Sequence, residues 1–138
     1  MTRAMDTVYT TAPSLADIEA LAKEAFATIP DRLRRHAAGV VIHVVEFPDE
    51  ATEQDMALES PFDLLGLYRG TPVGLKSVGD APNDVDRVFL YRRPLLDYWC
   101  ESGEDLRHLI RHVLIHEIGH HFGFSDADME RIEAEEAF

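Results

Sequence analysis

A chain of 138 residues amounts to a single domain, spanning 1–138, and is long enough to bury a core without cross-links. Its 26 acidic against 13 basic side chains give a formal net charge of −13, a surface that repels phosphate backbones and argues against a nucleic-acid partner. The single cysteine, Cys100, excludes an internal disulfide and no apolar run approaches a membrane span, so the expectation is a soluble protein of the cytoplasm with no membrane partner.

Residues 1–13 make a loose, polar start, and Met1 to Asp6 lacks the apolar stretch of a targeting signal. Ser14 caps a first helix, Asp17 completes a capping box, and Leu15, Ile18, Leu21, Ala22, Ala25 and Phe26 form the apolar face. Pro30 stops or interrupts that helix. The basic piece from Arg32 to His36 is surface. Val40 to Phe47 is the clearest strand, rich in β-branched residues and ended by Pro48. Residues 49–58 suit a short acidic helix or loop, and Leu64 to Tyr68 a second strand closed by Arg69 and Gly70. The turn-rich stretch 70–86 is a long flexible loop whose glycines lack phosphate-binding spacing. Asp86 to Tyr91 is a third strand. Pro94 opens a helix to about Trp99, and the apolar residues around Cys100 suit a buried, inert thiol. A longer helix covers 104–121, with Glu104 and Asp105 at the positive end of its dipole. The sum is an α+β order: a short, twisted sheet packed against the first helix and the long one.

The end of that long helix carries most of the functional signal. His116 to Asp126 spells H-E-x-x-H-x-x-G-x-x-D. Histidines four apart share one helix face, so the His116 and His120 imidazoles reach one ion. Glu117 shares enough of that face to hold a water at the ion without being a ligand. Gly123 suits the left-handed residue that ends a helix, and Asp126 brings an oxygen donor able to close a three-ligand site. Three protein ligands and an open position are the arrangement of catalytic zinc. Upstream, Leu106, Leu109, Ile110, Val113, Leu114 and Ile118 keep the helical spacing of one buried face.

The third ligand has rivals. Asp126 also suits the N-cap of a last helix over 127–134, while Ser125 could cap that helix and free Asp126 for the ion. Asp128 and His121 are local competitors. His108, His112, His116 and His120 recur every four residues, but His108 lies about 18 Å along the helix from His120, too far to share its ion. His112 is the better supporting partner for the site. The acidic tail that includes Glu130, Glu133, Glu135 and Glu136 is expected to be a solvated helix face.

The string from His116 to Asp126 resembles the small bacterial zincin-like metallopeptidases, the minimal zincins, and the likeness extends to Leu64–Gly70 and Arg87–Leu95. The resemblance implies a small zincin-like fold, one zinc ion on His116, His120 and Asp126, and Glu117 as general base, with Asp in the third place as in the Asp-zincins. The expected activity is hydrolysis of peptide bonds. It also implies that a peptide or protein substrate joins a sheet edge by strand addition, for which the third strand, 86–91, is the expected edge. Tyr68, Tyr91, Arg92 and Tyr98 have the chemistry to stabilise an oxyanion. Two other readings stand beside the peptidase: a non-catalytic metal- or peptide-binding module on the same scaffold, and an interaction protein without metal.

Overall fold

The computed structural model describes residues 10–70 and 85–135, so the expected loop at 70–86 and the loose start at 1–13 fall largely outside the described residues. The first helix, α1 (Leu15–Ala27), begins with the expected capping box: Ser14 Oγ accepts from Asp17 N at 3.0 Å and Asp17 Oδ2 accepts from Ser14 N at 2.9 Å. Its Ile18, Ala22 and Ala25 are buried, whereas Leu15 stays exposed. A one-turn helix, α2 (Asp31–Arg34), follows Pro30 and runs into a 3-10 turn at Arg35–Ala37. Three strands form the sheet: β1 (Val41–Val45), β2 (Gly66–Arg69) and β3 (Arg87–Tyr91). Between the first two lie α3 (Glu50–Asp55), capped by Asp49, and a 3-10 turn at Pro61–Asp63.

The strand order is β1-β3-β2, with β1 parallel to β3 and β2 antiparallel to it. This corrects one expectation. β3 pairs on both sides, its Val41-to-Arg87 register facing β1 and its Leu90-to-Gly66 register facing β2, so its backbone groups are spent within the sheet. Among the described residues the unpaired edges belong to β1 and β2.

Alternation along the strands sends Ile42, Val44, Gly66, Tyr68, Val88 and Leu90 to one face. That face meets the helices, α1 against β1 and α5 (Leu106–His121) against β2 and β3. Gly66 is required there: a Cβ would lie 2.7 Å from Val113 Cγ1 on α5 and 3.0 Å from the Phe89 carbonyl oxygen. Between β3 and α5, α4 (Arg92–Ser102) starts two residues before Pro94 and ends at Gly103, whose φ of 72° closes the helix. Its turn points Leu95 into the core and leaves Cys100 exposed, against the expectation of a buried thiol. Five residues along a helix is nearly half a turn past a full one, so the two cannot share a face.

The long helix begins at Asp105, whose carboxylate accepts from His108 N at 3.1 Å. Beyond the expected apolar face, Ile115 and the arginines Arg107 and Arg111 are also buried. The reason is that α5 is covered on further sides. Arg107 pairs with Glu24 on α1, and Arg111 donates to Thr28 Oγ1 and to the Glu133 carbonyl, both at 3.1 Å. The last helix, α6 (Asp126–Ala134), packs back on α5 through Met129 and Ile132, both fully buried. No described helix is long and apolar enough to cross a membrane.

Candidate metal centre

The motif residues occupy the last turns of α5 and the turn into α6. Gly123, at φ 80°, reverses the chain after Phe122, and Phe124 N returns to the Gly119 carbonyl at 2.9 Å. Ser125 is the N-cap of α6, its hydroxyl accepting from Asp128 N at 3.1 Å. The capping role therefore belongs to Ser125, and Asp126 is the first helical residue with its carboxylate free to point elsewhere. Asp126 Oδ1 lies 3.8 Å from His120 Nε2. Both side chains face solvent, His120 at 58% and Asp126 at 88% exposure.

The competing donors are engaged with other partners. The Asp128 carboxylate pairs with Arg131, and hydrogen bonds from Ser125 and Arg131 hold it below the usual carboxylate range. The His121 ring stacks on Tyr68 at 4.1 Å between centroids, so it lies over β2.

Glu117 is half-buried on α5, beside β2. Burial pushes its carboxyl above the ordinary value; a hydrogen bond from the Tyr68 backbone N–H and the nearby His120 and His116 pull in the other direction without cancelling it. Tyr91 is buried close enough to feel the Glu117 charge, and burial raises its phenol. Of the other candidates for oxyanion stabilisation, Tyr68 donates its hydroxyl to Asp86 Oδ2 at 2.7 Å. Arg92 is taken up by the Pro13 carbonyl at 2.6 Å and Glu46 Oε1 at 3.0 Å. Tyr98 lies exposed on α4.

One residue enters the site from outside the motif. Glu133, expected on a solvated face, instead turns toward α5, with Oε2 at 2.8 Å from His116 Nε2 and Oε1 at 2.6 Å from His112 Nδ1. Burial pushes its carboxyl up, but the hydrogen bonds from His116 and His112 outweigh that and leave it below the ordinary value. Its position seven residues after Asp126, two helical turns along one face, is the signal that the sequence offered. His112, expected as a supporting partner, does meet His116 through this carboxylate, and the two rings lie 4.1 Å apart.

The donor chemistry suits a transition-metal ion. Two donors bound to one zinc at about 2.0–2.2 Å stand roughly 3–4 Å apart, and the His120–Asp126 separation of 3.8 Å falls in that range. Two imidazoles and a carboxylate from the motif have the donor chemistry of the metal centre that the resemblance implies. The structure brings His120 and Asp126 together, but it turns His116 Nε2 to Glu133 instead. Among the described residues His112, His116 and Glu133, and not the motif trio, therefore have ligand atoms within 4.8 Å of one another.

A family model described as zincin-like metallopeptidase matches residues 37–136, and the chain belongs to that family. The matched span runs from the start of the sheet to the end of α6 and includes the whole motif. No curated protein matches the chain.

Proposed function

We propose that the protein is a zinc-dependent endopeptidase with one zinc ion per chain, held by His116, His120 and Asp126, and with Glu117 as its general base. The observation that carries this reading is Glu117. Its carboxylate lies half-buried beside the two histidines and next to the Tyr68 N–H, where a module that only binds metal needs no base. A bound zinc ion would acidify water and polarise the scissile carbonyl. Glu117 takes the proton of the attacking water and delivers it to the leaving amine, acting as base and then as acid.

Substrate binding by strand addition moves, in this reading, from β3 to the outer edge of β2, which is unpaired among the described residues. Tyr91 N donates to the Leu65 carbonyl at 3.0 Å, so alternation in the antiparallel ladder turns the backbone groups of Gly66 and the carbonyl of Tyr68 away from β3, with the Tyr68 N–H directed to Glu117. That edge adjoins Glu117, and pairing through backbone gives broad sequence preference. The acidic surface favours peptides over nucleic acids. A cytoplasmic setting suits the exposed Cys100, which a reducing compartment keeps as a thiol.

The test combines metal content with cleavage of a quenched-fluorescence peptide library, including copies methylated on backbone nitrogens. Wild type should carry one zinc and cleave the unmethylated peptides. Glu117→Gln should keep the zinc and lose about 10²–10⁴-fold in kcat/KM. Equal cleavage by Glu117→Gln would sink the role of the base. Bound zinc with no cleavage would leave the scaffold as a binding module, and equal cleavage of methylated peptides would remove strand addition.

A further inference from the structure

We propose that His112, His116 and Glu133 form a second divalent-cation site, one helical turn up α5 from the motif pair. Among the described residues this trio has its ligand atoms within 4.8 Å of one another. Glu133 bridges the histidines with one oxygen to each, at 2.6 Å from His112 Nδ1 and 2.8 Å from His116 Nε2. Two donors on one ion at about 2.0–2.2 Å lie no more than about 4.4 Å apart, and rotation of the exposed His112 ring closes the remaining gap.

Packing, not chance, brings Glu133 there. Met129 and Ile132, on the same side of α6, are fully buried, and Arg111 Nη1 holds the Glu133 carbonyl at 3.1 Å. The carboxylate is itself mostly shielded, with 27% of the side chain exposed. Two imidazole nitrogens and one carboxylate oxygen suit zinc, cobalt, nickel or iron, whereas magnesium and calcium require mostly oxygen. The upper trio takes His116 through Nε2, the nitrogen that faces Glu133, and a motif ion would need the same imidazole. One chain therefore holds an ion in one site or the other. An ion on the upper trio stands a turn away from His120, so the chain stores metal there without arming the motif centre.

The proposal shares only His116 with the centre proposed above. His112 and Glu133 belong to one site, and His120 and Asp126 to the other. Metal-free wild type, His120→Ala, Glu133→Gln and the variant combining those two changes are titrated with cobalt, followed by visible absorption, and with zinc, followed by calorimetry; circular dichroism checks the helices. The expected result is that His120→Ala still takes up one ion per chain, and that adding Glu133→Gln weakens this uptake on the order of a hundredfold, at the upper end of what loss of even a supporting partner costs. A combined variant that binds as tightly as His120→Ala overturns the proposal. So does His120→Ala losing all uptake while Glu133→Gln binds like wild type, an outcome that leaves the motif centre standing. Loss in Glu133→Gln with none in His120→Ala supports the upper site and removes the motif centre instead. If no protein takes up either ion, both fall.

Discussion

Tyr68 joins three parts of the site at once. Its hydroxyl donates to Asp86 Oδ2 at 2.7 Å, its ring stacks on His121, and its backbone N–H reaches Glu117. Burial first, then the hydrogen bond and the charge of Asp86, hold the phenol well above its ordinary value of 10.0. The linkage has a definite sign. Near pH 10 the unfolded chain releases the Tyr68 proton while the folded chain keeps it, so stability from this group is complete below that pH and falls as pH rises further. Tyr68→Phe lacks both the hydrogen bond and the titration. The variant should be less stable by about 1–2 kcal/mol at neutral pH, and the gap should narrow above about pH 10. Urea midpoints for both proteins from about pH 8 to 11.5 measure it; a constant gap across that range would show that Tyr68 does not retain its proton in the fold.

At the scale of elements, the contact between Gly119 and Met129 seats α6 on α5. A Cβ at Gly119 would stand 2.3 Å from Met129 Sδ and 2.8 Å from its Cγ. Gly119→Ala gains up to about 1 kcal/mol in helix propensity, but overpacking a fully buried methionine costs about 1–3 kcal/mol. The net change should be destabilising, and the displaced α6 should carry Asp126 and Glu133 away from the histidines, lowering zinc affinity. Denaturation midpoints with zinc calorimetry decide it; a variant as stable as wild type with unchanged affinity would mean that α6 adjusts freely. The same contact explains what was legible in the sequence. The capping box at Ser14, the β-branched run of β1, the buried stripe of α5 and the freeing of Asp126 by Ser125 are set by neighbours within a turn or two. The central place of β3 depends on pairing with Val41–Val45, more than forty residues away, and no local pattern encodes it. The inward turn of Glu133 likewise depends on where Met129 docks, which a charge count along the chain cannot show.

For the whole molecule, a bound ion would join α5 and α6, which burial of Met129 and Ile132 and the bonds of Arg111, His112 and His116 to Glu133 already hold together. His116 and His120 stand on α5, Asp126 opens α6 and Glu133 lies near its end, so an ion in either site ties α6 to the centre of the fold. Any ligand that binds only the folded chain stabilises it. Free zinc at a hundred times its Kd adds about 2.7 kcal/mol, which for a chain of this size raises Tm by roughly 5–10 °C. The net charge of −13 complicates the comparison, because self-repulsion in an acidic chain is relieved by any cation. Added salt screens that repulsion within about 10 Å at 0.1 M, whereas ligation by imidazole persists. The expected result in 0.1 M salt is therefore a rise in Tm with zinc that is reversed by chelator, absent with magnesium, and smaller in His116→Ala, the residue common to both proposed sites. An equal rise with magnesium, or with zinc in His116→Ala, would assign the stabilisation to charge neutralisation and leave the histidines without a metal to hold.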